Sequence, residues 1–302
     1  MEGTHPAIPI NQNVATGYPM ITERHPTRPM RRFSRIIVCA LIAFTTQWLN
    51  AQGTNSPWPD SPSHARQVSM APAQSGSDRE VTWRSLPGDF LNDQKAIWLF
   101  PVQLAKGHYW LPTLAVAGGT AGLIFADPHV MPYFRSHSGN LDDVNDVFDA
   151  PITSAEVILL PASLMISGYA RHDPYQVGTA LLAGEAYADA AVVDLAIKAI
   201  TRRRRPSDVA PGAPFTDTFF SGGKSPFKGS SFPSGHAAGA FAVATVVATR
   251  YHTHRWVPWA VYGFATAVSL SRITTSAHFP SDVLLGAALG YGITRYQVLR
   301  PH

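Results

Sequence analysis

Charge is scarce in this chain. Asp, Glu, Lys and Arg make up 15% of its 302 residues, against roughly 25% in average soluble domains, so much of the chain is buried or meets lipid. The net charge is only +4, and much of the excess lies at residues 23 to 35 and in the run Arg202 to Arg205, which excludes a general nucleic-acid surface. Cysteine is almost missing. The single Cys39 lies in a leader-like segment, so the rest of the chain has neither disulfides nor a thiolate metal site. Strand-like alternation is also lacking, which leaves a helical domain.

What is present falls into three parts. Residues 30–51, MRRFSRIIVCALIAFTTQWLNA, have a basic n-region, an apolar core from Ile36 to about Thr46 and Ala51 before a polar stretch. Residues 1–51 are therefore expected to be a leader with a secretory signal, a short membrane anchor being the alternative. Leu49 stands where a small residue is preferred at the cleavage site, and Met30 is a candidate start. Residues 52–90, rich in Pro, Ser and Gly to about residue 85, are expected to form a disordered linker. From 91 to 300, long apolar segments alternate with short polar turns.

The pattern predicts helices over 93–106, 109–126, 152–171, 176–201, 234–251, 256–271 and 281–298. The expected class is all-α, a bundle of six to seven helices with an active site at one end. Gly107–Ala126 and Gly229–Thr249 contain no Asp, Glu, Lys or Arg, and such runs approach the length of a membrane span. A membrane bundle is the favoured expectation, and a soluble periplasmic bundle is the alternative. The Gly- and Pro-containing stretch 207–232 is a loop long enough to be functional.

Three blocks in the C-terminal half carry chemistry. They are KAITRRRRP, from Lys198 to Pro206; PSGH, 233–236; and SRITTSAHFPSD, 271–282. Each stands at a predicted helix end, where side chains from different helices converge. Ser234 is a good N-cap for an apolar helix, and a helix start gathers unpaired N–H groups and the positive end of a dipole, which suits an oxyanion. Cleaving a phosphate monoester needs cations and N–H donors around three equatorial oxygens. Lys198, Arg205 and Arg272 can supply the cations, and Ser234 and Gly235 the donors.

Two imidazoles can share the remaining work. One attacks phosphorus in line and the other protonates the leaving alkoxide. His278 has the better claim to be the nucleophile, because Asp282 lies four residues on, where its carboxylate can take the Nδ1 proton and leave Nε2 free. His236 is then general acid and afterwards base. Arg202–Arg204 are expected to be a solvated or headgroup-facing run, and Arg205 is set apart by Pro206, which ends the helix. With each residue type at about one position in twenty, Arg-x5-His-x3-Asp arises by chance at about one start in ten thousand.

These blocks resemble the three-part signature of the type 2 phosphatidic acid phosphatase and vanadium haloperoxidase superfamily: K-x6-R-P, P-S-G-H and S-R-x5-H-x3-D, each met in full. The resemblance covers about residues 95 to 298. It implies an all-helical fold, a phosphohistidine at His278, acid and base work by His236, phosphate binding by Lys198, Arg205, Ser234, Gly235 and Arg272, and orientation of His278 by Asp282. It implies no metal or other cofactor for a phosphatase, with vanadate a phosphate mimic, or the cofactor in a haloperoxidase. The expected substrate is a phosphorylated lipid or a small phosphomonoester. The expected location is the cell envelope, with a periplasm-facing site at the inner membrane or a soluble periplasmic enzyme.

Other motifs carry less. The acidic stretch 142–150 lacks the Gly and terminal Glu of an EF-hand loop. His252 and His254 flank a helix end with no acid nearby in sequence and are expected to be surface residues. The competing functions are a vanadate-dependent haloperoxidase, a periplasmic acid phosphatase on soluble substrates, and a noncatalytic membrane protein with a relic site.

Overall fold

The computed structural model describes residues 79, 81–138, 145, 150–222 and 230–300. The expected leader (1–51), the linker as far as residue 78 and most of the acidic stretch 142–150 lie outside the described residues. The class is all-α. The helices are α1 (Leu86–Trp98), α2 (Phe100–Ala105), α3 (Trp110–His137), α4 (Ala150–Arg171), α5 (Pro174–Thr201), α6 (Gly235–Arg250), α7 (Trp256–Thr274) and α8 (Pro280–Ile293). A 3-10 turn at Pro206–Asp208 follows α5, and a π-helical turn at Thr294–Val298 follows α8.

Local chemistry sets the ends of these helices. The Asp173 carboxylate caps α5 by accepting the N–H groups of Tyr175 and Gln176, and Pro174, with no N–H to leave unpaired, takes the first helical position. Ser234 is the N-cap of α6, as expected. The stretch 93–106 is two helices, because Pro101 cannot donate back to the preceding turn and the chain breaks at Leu99. Helical structure also begins earlier than residue 91, with α1 starting at Leu86 and Arg79 and Val81 already buried.

The expected end of α3 at Ala126 is also passed. Asp127-Pro128 reads as a stop, yet the helix continues through Pro128 and Pro132 to His137. Tertiary contacts offset the two lost backbone bonds: Asp127 is ion-paired and Met131 fully buried.

α6 is the centre of the bundle, packed by α5, α7 and α8. Its buried residues run round the whole circumference and are mostly Ala, Val and Gly, the mark of a core helix. Gly290 shows how close the packing is. A Cβ there would lie 2.1 Å from the Ala238 carbonyl oxygen, so α8 can rest its backbone on α6 only without a side chain at that position. Leu182 of α5 and Val246 of α6 are fully buried, each contributing about 1.5–3 kcal/mol of apolar burial.

The two uncharged runs therefore separate. Residues 235–249 of the second run belong to α6, which is protein core. Among the described residues, α3 alone is long and apolar enough to cross a membrane, by length and composition, and its most apolar window is 17% buried. Its outer surface presents Leu111 and Phe125, and α7 presents Trp259, which is 83% exposed.

Candidate active site

The third motif builds one wall. At the end of α7 the Arg272 carbonyl accepts the N–H groups of both Ala277 and His278, each at 3.0 Å. The chain is thereby wrapped back so that His278 sits beside the helix it has just left. His278 is 2% exposed, and its Nδ1 lies 2.7 Å from the Ser231 carbonyl oxygen. A carbonyl only accepts, so Nδ1 carries the proton and Nε2 holds the lone pair.

The expected partner for that proton, the Asp282 carboxylate, also stands beside it, as the farther of two acceptors. Asp282 Oδ2 stands 3.6 Å from Nδ1, longer than an ordinary hydrogen bond, because the carboxylate is occupied elsewhere. It accepts the Phe279 N–H at 2.8 Å, the Ser231 hydroxyl and Arg203 Nη1, the last at 2.6 Å. Asp282 thus holds the loop that carries His278 and the loop whose carbonyl fixes the tautomer.

The second motif forms the facing wall. The Ser234 N–H donates to the Asp282 carbonyl at 2.9 Å, joining the starts of α6 and α8. Gly235 opens α6 against the end of α5: a Cβ on it would lie 3.0 Å from Asp194 Oδ2 and 3.1 Å from Lys198 Nζ, and Asp194 and Lys198 are paired at 2.7 Å. On the next residue, the His236 ring faces that of His278 edge-on, with centroids 6.4 Å apart and planes at 62°. Arg205 is partly buried, and its Nε has no hydrogen-bond partner among the described residues. Arg272 is buried, with Nε on Ser271 Oγ at 3.1 Å.

All three sequence blocks therefore meet at one end of the bundle, around the start of α6. Electrostatics follow from that meeting. Burial, with the positive charges of Lys198 and Arg205, holds His278 below the ordinary histidine value against the opposing pull of Asp282. Burial alone would raise Asp282, but His278, Arg203 and the Ser231 hydroxyl outweigh it and hold the carboxyl below its usual range.

Arg203 is the residue that sequence reasoning misplaced. Arg202 and Arg204 are exposed as expected, whereas Arg203 is 2% exposed. Its fork donates to Asp282 at 2.6 Å, to Ser281 Oγ at 2.7 Å and to Asp127 Oδ2 at 2.7 Å. Its guanidinium carbon lies 3.9 Å from the Phe279 ring centroid and 4.4 Å from that of Phe219. Backbone strapping explains the inward turn. The Arg204 N–H bonds Thr218 O, and the Ser231 N–H bonds Arg203 O, so the chain is extended here and successive side chains alternate.

That alternation was legible. A chain that leaves a helix at Thr201 and must be extended before Pro206 puts residue 203 on the same side as Arg205. Asp127 had a signal too, as a lone carboxylate ending a long apolar run, which demands a partner. Asp194 is the i−4 neighbour of Lys198.

Such features define a class: an all-helical bundle holding two opposed imidazoles, one of them tautomerically fixed, among cations at the N-terminus of its core helix. Residues 179–300 match the family model described as the PAP2 superfamily, the superfamily whose signature the three sequence blocks resemble. It is similar to a lipid A 1-phosphatase of Porphyromonas gingivalis, 46% identical over 61 residues, an alignment spanning 20% of this chain and 14% of that protein. A solved transmembrane PAP2-type phosphatidylglycerolphosphate phosphatase from Bacillus subtilis is 18% identical with a TM-score of 0.33, the match covering 71% of this chain and 92% of the other.

Proposed function

We propose that the protein is a phosphatase of lipid-linked phosphate monoesters or pyrophosphates, working through a phosphohistidine. The observation that carries this is the His236–His278 pair, its ring centroids 6.4 Å apart beside the start of α6, with Lys198 and Arg205 supplied from the end of α5 and the stretch of chain after it and Arg272 from the segment that carries His278. His278 Nε2 attacks phosphorus, and an N–P bond forms as the ester P–O bond breaks. His236, protonated, gives its proton to the departing alkoxide. Neutral His236 then takes a proton from water, whose oxygen attacks phosphorus, releases inorganic phosphate and restores His278.

The cations and the Ser234 and Gly235 donors face the charge that builds on the equatorial oxygens. The chemistry calls on no metal, because side-chain cations and N–H groups supply the charge. A neutral nucleophile at pH 7 agrees with the depressed His278.

The lipid part of the proposal rests on the lipid A 1-phosphatase relative and on α3, whose apolar length and exposed Leu111 and Phe125 suit a membrane. The site would open to the periplasm. The arginine run weighs little against that orientation, since Arg203 and Arg205 are taken up inside the protein and only Arg202 and Arg204 face outward.

The test is incorporation from a 32P-labelled lipid phosphate such as phosphatidate, quenched in alkaline SDS so that an N–P bond survives. A base-stable, acid-labile label should form on the wild type, both form and decay more slowly in His236→Ala, because His236 serves both steps, and be missing in His278→Ala. Turnover unchanged in both variants would end the proposal. Bromide oxidation that depends on vanadate and peroxide would place the site in the haloperoxidase branch.

A further inference from the structure

A second polar cluster lies between α1 and α5, away from the histidines. Asp93 of α1 and Glu185 and Asp189 of α5 are 0%, 2% and 0% exposed, and each offers a carboxylate oxygen within 4.8 Å of the others. One oxygen of each is held by a donor. Arg79 Nη1 lies 3.4 Å from Asp93 Oδ2, Arg79 Nη2 lies 2.9 Å from Glu185 Oε1, and Gln94 Nε2 lies 2.7 Å from Asp189 Oδ1. Glu185 Oε2 and Asp189 Oδ2 are buried with no hydrogen-bond partner among the described residues.

Charge makes this arrangement demanding. Arg79 also pairs with Asp89 at 3.0 Å, so three carboxylates share one guanidinium with Asp189 beside them on Gln94, and all four ionised leave an excess of three negative charges. Buried carboxylate charge is costly unless it is paired or coordinates a metal. The donor pattern is that of a metal site, in which outer N–H groups orient Glu185 and Asp189 by one oxygen and leave the other for the ion.

The geometry points to a binding site for a hard divalent cation, Ca2+ in preference to Mg2+, formed by Asp93, Glu185 and Asp189 with Arg79 and Gln94 as orienting donors. Oxygen ligands are what such cations take, and trans ligands of Ca2+ stand about 4.6–5.2 Å apart, which accommodates the oxygen spread. Mg2+ demands a tighter and more regular shell. Glu185 and Asp189, four apart, share one face of α5, and Asp93 comes from α1, so the ion clamps the N-terminal helix onto the bundle. Asp189 is nine residues before Lys198, about 13 Å along the axis, which makes this a structural site separate from catalysis. Asp89, with a side chain 19% exposed, marks the way in.

The full chain, purified in detergent and stripped with EDTA, is titrated with CaCl2 and MgCl2 by calorimetry, with metal content read by mass spectrometry after desalting. One Ca2+ per chain is expected, Mg2+ binding at least tenfold more weakly. Ca2+ at a hundredfold excess over its Kd should raise the unfolding midpoint by about 5 °C. Glu185→Gln and Asp189→Asn should each weaken binding at least tenfold, and Asp208→Asn, an exposed residue, should not. If no cation is retained and the midpoint is indifferent to Ca2+, Mg2+ and EDTA while rising as pH falls, shared protons neutralise the cluster and the site is refuted. Should either variant fail to fold, the wild-type titration decides alone.

Discussion

Replacing Arg203 tests whether the buried guanidinium organises the site. Both of its carboxylate partners, Asp127 and Asp282, have side chains 0% exposed, so Arg203→Ala strands two negative charges and also removes a cation held 3.9 Å and 4.4 Å from two aromatic rings. Stranding one buried charge costs about 3–5 kcal/mol and the ring contacts about 0.5–2 kcal/mol. Their sum is comparable to a whole domain's stability of roughly 5–15 kcal/mol, so this variant should be largely unfolded.

Arg203→Lys keeps the charge but loses the planar fork that bonds Asp127, Ser281 and Asp282 together. It should fold with a loss of about 1–3 kcal/mol in urea unfolding, and kcat should fall about tenfold or more, which is about 1.4 kcal/mol of barrier, with KM little changed. Arg204→Ala is the control, expected within about 0.5 kcal/mol of wild type. A double-mutant cycle with Asp127→Asn should give coupling of about 0.5–3 kcal/mol. An Arg203→Ala protein as stable and active as Arg204→Ala would refute the reasoning.

Three further outcomes follow from the structure. Because burial depresses His278, the acid limb of kcat/KM should fall below the ordinary value of 6.5, and Asp282→Asn, by removing the charge that opposes the depression, should move it lower still. Stability has the matching sign: the unfolded histidine takes up a proton that the folded one refuses, so unfolding free energy should decline as pH drops below 6.5 and level off once the folded group titrates. Gly290→Ala should cost about 1–3 kcal/mol or more in thermal or urea unfolding, since its Cβ would meet Ala238 O at 2.1 Å; an unchanged midpoint would contradict the α6–α8 packing. Phe125→Trp, on the outer surface of α3, should be quenched by brominated lipid in reconstituted vesicles, whereas quenching by aqueous iodide instead would place that surface in water.

How much was legible can be judged from particular residues. The capping chemistry of Asp173-Pro174 and Ser234 lies within a few residues of the helices it starts, so those boundaries could be read from sequence. The ends of α1 and α3 could not, because a break at Pro101 and a continuation through Pro128 depend on what the rest of the chain offers in exchange for lost backbone bonds. Arg203 is the sharpest case. Four identical neighbours carry no compositional contrast, so spacing from Pro206 was the one signal in the sequence, and the strapping of Arg203 and Arg204 to Ser231 and Thr218 is what turns Arg203 inward.

The sequence by itself determined the all-α class, the starts of the capped helices α5 and α6 to within a few residues, and the identity of the residues gathered at one end of the bundle, because periodicity, caps and residue types act over a few positions. The tertiary structure alone decided that the Ser231 carbonyl is the nearer acceptor for the His278 Nδ1 proton, with Asp282 at 3.6 Å, that Arg203 joins α3 to α8, and that α6 is core while α3 faces outward. Those choices depend on which groups meet across 40 or more residues of chain. Burial there raises the free-energy cost of an unpaired group far above any local preference.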